Sequence, residues 1–458
     1  MSKSPTALVF EVKRSAPELI PPAAPTPREF KELSDIDDQD ALRFQIPVIN
    51  FYRNDEALGG SDPAKVIKEA VGRALVPYYP FAGRLREKAA RKLVVECNGE
   101  GVLFIEADAD VTLDEFGEEI HPPFPCFQEL LYDVPGNDGI LHSPLLLIQV
   151  TRLKCGGFIF AIRLNHTMTD GIGLAQFLYT VAALARGAQN PSGQPVWERH
   201  LLCARDSPRV TRAHREYDEL ADNTKCTPLD DLVHKCFFFG AKEMWTLRQL
   251  LPPHLKSATT FEVLSACIWQ CRTIALELDP NDEVRFLPVV NARSVFNPPL
   301  SKTYYGNVLA FPAAISTAGE LSRNPMGYAV QLLKKAKDNV TQEYMRSLAD
   351  LMHIKGRPCL VTGGRSFVIS NLTRMGSDQV DFGWGRPVYS GTSGELPGIV
   401  SFYMPYKNKR GERGVLFPIC LPVLAMERFI KELHLMLGEF SGHPDVSSGS
   451  SVVISSSL

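Results

Sequence analysis

His166-Thr167-Met168-Thr169-Asp170-Gly171 is the stretch of this chain whose residue types and spacing best suit proton transfer. An imidazole that titrates near pH 6.5 can take a proton from a hydroxyl at neutral pH. The stretch follows FIFAIRLN (158–165), which reads as a buried strand, and precedes an apolar helical pattern over Ile172–Leu184. A side chain at such a junction can enter a cleft without belonging to the core. The spacing equally allows a purely structural role, with His166 ending the strand and Asp170 capping the helix. Other catalytic signatures are absent. There is no GxxxxGK[ST], no GxGxxG, no HExxH and no GxSxG, which argues against a P-loop nucleotidase, a Rossmann dehydrogenase, a zincin and an α/β-hydrolase.

The elements that must hold this stretch are mixed. Asp62-Pro63 caps and starts a helix whose apolar residues run from Val66 to Leu75. LLLIQVTR (145–152), a KCGG turn and FIFAIRLN read as a hairpin buried on both faces. Lys92–Cys97 and Gly101–Ile105, separated by Asn98-Gly99-Glu100, predict a second hairpin. Further on, helices are expected from Thr260 and over about Pro325–Val340, with strands near Val284–Val290, Phe367–Ser370 and Ile399–Met404. The pattern predicts an α/β or mixed α+β protein of two similarly sized domains. The expected units are residues 1–188, a Pro-, Asp- and Arg-rich crossover or linker at 189–230, a second domain at 231–446, and a serine-rich flexible tail at 447–458.

Composition narrows the partners. In 458 residues, 49 Lys+Arg stand against 52 Asp+Glu, a net charge of −3, so no basic surface marks the chain for nucleic acid. The ten cysteines are scattered without a CxxC; they read as reduced thiols, and no metal site is expected. The longest weakly polar run, Gly171–Ala185, is too short to cross a bilayer. No secretory leader is apparent at the N-terminus, so a cytoplasmic protein is expected, without membrane association. Ser456-Ser457-Leu458 resembles the SKL peroxisomal address without its basic residue, which makes the peroxisome the alternative.

HTMTDG, together with Asp381-Phe382-Gly383-Trp384-Gly385 near the C-terminus, resembles the paired signatures of the plant BAHD acyl-CoA-dependent acyltransferases. LSDIDDQ (33–39), YPFAGRL (79–85), NAR (291–293) and YYGN (304–307) support the resemblance, which covers about residues 7–437. It implies two domains like that of chloramphenicol acetyltransferase, meeting along a solvent channel, in a monomer with no bound cofactor. Acyl-CoA would be the co-substrate and a small alcohol the acceptor. Within the family the chain is most similar to members that make benzoyl and anthraniloyl esters. Benzoyl-CoA and benzyl alcohol are therefore the expected pair, with other acyl donors and alcohols, or a non-catalytic acyl-CoA-binding relative, as the alternatives.

The resemblance assigns roles residue by residue. His166 would be the general base, and Asp381 is commonly named beside it as active, although here it reads as support for the channel. Asp170 would pair with Arg293 and shape the loop, while Gly383 and Trp384 would form the supporting turn. Ser370 and Asn307 are the oxyanion candidates. Lys256 and Ser257, just before the helix from Thr260, are candidates for the CoA phosphates. Three departures bear on substrate choice: Thr169, Gly171 and Gly173 where close relatives commonly read HTMSDA; Leu372 where many carry tryptophan; and a short Ser393–Pro397 loop.

Overall fold

A computed structural model describes residues 8–56, 60–133, 139–189, 193–220, 231–361, 364–394 and 400–438, and the backbone of 453–454. Two seven-stranded mixed sheets organise it. In the first, the spatial order is Val12–Arg14, Val102–Ala109, Leu146–Leu153, Phe158–Asn165, Gln45–Tyr52 and Tyr389–Thr392, with Glu18–Ile20 also pairing to Val102–Ala109. The expected buried hairpin is its centre, registered Leu146 against Leu164 and Arg152 against Phe158. Nearly every residue of both strands is buried, which accounts for their unbroken apolar sequence. The second sheet runs Ala314–Thr317, Glu283–Pro288, Ser366–Asn371, Ser401–Lys407, Arg413–Pro422, Leu232–Phe239 and Val453–Ile454. The helices Thr260–Ala275, Met326–Asp338 and Val423–Met436 supply much of its core.

One strand pairing departs from the sequence reading. The strands flanking Asn98-Gly99-Glu100 form no hairpin. Leu93–Glu96 pairs with Arg84–Glu87 and Phe30–Glu32 in a small third sheet, whereas Val102–Ala109 joins the first large sheet. Gly101, at φ +103°, lies so close to the Ile20 backbone that a Cβ would collide with it, which turns the chain out of one sheet into the other.

The crossover segment is held in place over its described part, 193–220. Arg199 and Glu216 are each 1% exposed, and Arg205 pairs with the buried Asp350. A buried charge must be paired, so these ion pairs fasten the segment. Of the tail, only 453–454 are described, pairing with Cys236 and Phe237 at a sheet edge. Ser456, Ser457 and Leu458 lie outside the described residues.

The two halves also exchange structure. Tyr389–Thr392, from the second half of the sequence, pairs antiparallel with Gln45–Tyr52, with Tyr389 opposite Phe51 and Thr392 opposite Val48. The DFGWG turn just before it packs on the same sheet. Phe382 lies 5.1 Å from Phe160 between ring centroids, and Trp384 lies edge-on to Phe158 at 5.4 Å. Among the described residues no helix is long and apolar enough to span a membrane. The nine described cysteines form no disulfide.

Candidate active site

A cavity of about 1000 Å³ opens between the halves, and His166 is in its wall. Strand Phe158–Asn165 delivers His166 to its end, where a single 3-10 turn, His166–Met168, begins. Asn165 caps that turn, accepting from Thr167 N at 3.2 Å and Thr167 Oγ1 at 2.7 Å. The His166 amide donates to Phe44 O at 2.9 Å, and the Phe44 ring stands 5.4 Å from the imidazole. Nδ1 of His166 is buried with no hydrogen-bond partner. Burial holds the imidazole below its ordinary value near 6.5, against the weaker opposing pull of Asp170 and Asp37. A neutral ring with free nitrogen valence is the form that accepts a proton.

Asp170 is turned away from that task. It is 2% exposed and caps the helix Gly171–Ala185 through Ile172 N and Gly173 N, both at 3.1 Å. Its other contacts are Val308 N at 3.2 Å and a two-point ion pair with Arg293 at 2.6 and 3.0 Å. Arg293 also donates to Gly306 O at 2.7 Å. The acid therefore locks the turn after His166 onto the YYGN stretch. Gly173 permits the close approach: a Cβ there would collide with Thr169 Oγ1 and the Tyr305 backbone. Thr169 itself is fully buried and donates to Tyr305 O, away from the cavity.

Asn307, the second oxyanion candidate, is not among the cavity-lining residues. Its side-chain amide is spent on Asp37 Oδ1 at 2.9 Å, His166 O at 2.9 Å and, more weakly, Thr167 O at 3.3 Å. An NH2 group has two hydrogens, and both are engaged. Asn307 instead clamps the backbone of His166. Two residues missed by sequence reasoning complete the clamp. Asp37 is fully buried and receives Asn307 N at 2.8 Å, Ser34 Oγ at 2.6 Å and an ion pair from Arg199 at 3.4 Å. Arg199 then donates to Met168 O at 2.7 Å. Asp37 lay within the quoted LSDIDDQ stretch, but nothing in the sequence near Arg199 distinguishes it from a solvated arginine.

Asp381 is not among the cavity-lining residues. Its Oδ1 accepts from Gly383 N at 2.7 Å and Gly385 N at 2.9 Å, closing its own turn, and its carbonyl accepts from Arg186. Gly383 and Gly385 have φ of +120° and +79°, conformations that favour glycine. The group braces the junction of the halves through Phe382 and Trp384. Ser370, at the end of strand Ser366–Asn371, does line the cavity, as do Leu372 and Thr392.

At the CoA candidates, Ser257 is in the cavity wall but Lys256 is not. The helix Thr260–Ala275 behind them is capped by Thr259, with Glu262 reciprocating to Thr259 N at 2.8 Å. Two cations near this helix start, Arg248 and Lys337, line the cavity, as do Arg43 and Arg374 elsewhere in its wall. Arg248 donates to Lys256 O at 3.0 Å and Ala258 O at 2.6 Å. Lys337 pairs with Glu262 at 2.8 Å and stands 5.6 Å over Phe261. They come from separate helices, so no local motif could reveal them. Glu395, Leu396 and Pro397 of the short loop lie outside the described residues. Among the described residues no His, Cys, Asp and Glu cluster could hold a metal.

Fold and site together define an acyltransferase built from two interlocked mixed-sheet halves, with a histidine in the cavity between them. Vinorine synthase superposes with a TM-score of 0.69 at 22% identity, covering 93% of this chain and 98% of that one. The TRI101 protein of F. sporotrichioides, complexed with coenzyme A and T-2, gives 0.69 at 19% identity, over 88% and 97%. The Transferase family model matches residues 10–436. The chain belongs to that family, the BAHD acyl-CoA-dependent acyltransferases. It is 61% identical to the benzyl alcohol O-benzoyltransferase of Petunia hybrida, over 95% of this chain and 96% of the relative. It is 53% identical to the 13-hydroxylupanine O-tigloyltransferase of Lupinus albus, over 94% and 96%. Alcohol acyl transferase 1 (allele GSa) of Malus domestica is 52% identical, over 94% and 95%.

Proposed function

We propose that the protein transfers the benzoyl group of benzoyl-CoA to benzyl alcohol, with His166 as general base. The observation that carries this reading is the His166 imidazole, held below its ordinary value by burial, at the wall of a cavity whose other sides include Phe44, Phe311, Phe402 and Val368. His166 takes the hydroxyl proton as the alcohol oxygen attacks the thioester carbonyl. The tetrahedral oxyanion then re-forms the carbonyl, the C–S bond breaks, and the imidazolium returns its proton to the departing CoA thiolate. Atoms balance as ester plus free thiol, with no acyl-enzyme. Ser370 Oγ is the donor proposed for the oxyanion. Arg248, Lys337, Ser257 and the N-terminus of helix Thr260–Ala275 are proposed to receive the CoA phosphates.

The benzoyl and benzyl assignment rests on likeness to the Petunia relative, and the Lupinus relative marks tigloyl transfer as a second reading. The test offers benzoyl-, tigloyl- and acetyl-CoA with a panel of alcohols, and follows both free thiol and ester. Benzyl benzoate as the preferred product supports the proposal. Thiol release faster with another donor would replace the substrate pair, and none with any pair would overturn the enzyme reading. The protein is proposed to act as a cytoplasmic monomer. A fusion ending in the native tripeptide that collects in peroxisomes would overturn the location.

A further inference from the structure

Gly171 and Met375 meet across the junction of the two halves, and both line the cavity that holds His166. A Cβ on Gly171 would stand 2.5 Å from Met375 Sδ and 3.3 Å from its Cγ, with a Leu372 methyl 4.0 Å away. The methionine thus fills the space that an alanine methyl would occupy. We propose that this pair sets the width of the cavity beside His166 and so limits the bulk of the alcohol accepted, an inference that rests on the acyl-transfer reading above.

Neither backbone can retreat to relieve an added methyl. The helix start at Gly171 is fixed by the Asp170 cap, by Arg293 and by the contact of Gly173 with Tyr305. Met375 follows strand Ser366–Asn371, and the next residue is held where Tyr179 OH donates to Gly376 O at 2.7 Å. To regain ordinary contact near 3.5 Å the sulfur must move about 1 Å. A thioether side chain has the freedom to do so, and the open side is the cavity. Gly171 has helical backbone angles, so alanine there brings no backbone strain and its effect reports the contact. His166 stands in the wall of the same cavity, five residues before Gly171 and just ahead of the Asp170 cap, so an alcohol whose hydroxyl reaches it would carry its substituents towards this pair.

The experiment measures kcat/KM with benzoyl-CoA for ethanol, benzyl alcohol and diphenylmethanol. A parallel series holds benzyl alcohol fixed and varies acetyl-, benzoyl- and naphthoyl-CoA. In Gly171→Ala the ratio of large to small alcohol should fall roughly tenfold, as for one methylene in an apolar pocket. Met375→Ala should raise it, and the double variant should return towards the wild-type ratio. A ratio unmoved in Gly171→Ala, or one that moves only along the acyl series, overturns the inference. Thermal unfolding of the same four proteins gives a readout independent of turnover. Non-additive shifts in Tm support the contact, and additive ones with turnover intact overturn this inference alone. No turnover with any pair overturns the parent reading as well.

Discussion

Arg293 grips Asp170 with both terminal nitrogens, at 2.6 and 3.0 Å, and so commits the carboxylate to the loop and not to the imidazole. The acid of the HTMTDG stretch is therefore no orienting member of a triad. It joins the start of one helix, the backbone of Val308 and the NAR stretch into one rigid corner, from which His166 projects.

Removing the arginine should accordingly damage the fold before it damages the chemistry. Arg293→Ala leaves a carboxylate with 2% exposure unpaired, a change that costs about 3–5 kcal/mol. Denaturant unfolding should show that loss. Arg293→Lys, which keeps charge without the two-point geometry, should recover only part of it. An Arg293→Ala protein as stable as the wild type would contradict the corner.

The half-buried imidazole predicts a particular pH dependence. The active form of His166 is neutral, and burial lowers its folded value beneath the usual 6.5. Activity should hold above the folded value and fall on acidification through it, so the acid limb of kcat/KM against pH should lie below 6.5. The linkage has the same sign. Between the two values the unfolded chain binds the extra proton, so stability rises with pH there and is lost as pH falls through the window. An acid limb at or above 6.5 would count against a desolvated base.

How far the sequence reached depends on how local each signal was. The hairpin 145–165 and the helices from Pro63, Gly171 and Thr260 were legible because period, caps and breakers sit within a few residues of one another. The turn at Asn98-Gly99-Glu100 misled because a hairpin signal does not say which sheet each arm joins, and Gly101 packs on the distant Ile20. His166 and the Asp170–Arg293 pair were reached through motif resemblance. Arg199, Arg248 and Lys337 were not, since their meaning comes from contacts between segments far apart in the chain. Asp381 was half-legible: its turn could be read from the glycines, but its absence from the cavity wall could not.

Asp381 offers a clean separation of support from chemistry. Its Oδ1 only accepts from two backbone amides, and an asparagine oxygen could do the same. Asp381→Asn should retain most activity with a small drop in Tm, whereas Asp381→Ala should lose stability and activity together. Trp384→Ala should remove about 3–5 kcal/mol by opening a hole against Phe158. A folded Asp381→Asn protein without activity would restore a catalytic role to the carboxylate.

Arg248 and Lys337 should act on the acyl donor. Replacing either with alanine removes charge-assisted contacts to phosphate, each worth about 1.5–3 kcal/mol. KM for benzoyl-CoA should rise roughly tenfold or more with little change in kcat, and the penalty should shrink as salt screens the wild-type site. An unchanged KM in both variants would place the phosphates elsewhere.

The most direct test of the whole account is His166→Ala, assayed by thiol release from benzoyl-CoA in the presence of benzyl alcohol. The predicted result is a fall in kcat/KM of roughly 10²–10⁴-fold, the usual contribution of a positioned base, with Tm and the affinity for CoA close to wild type. An undiminished rate in the folded variant would contradict the central claim that His166 takes the proton.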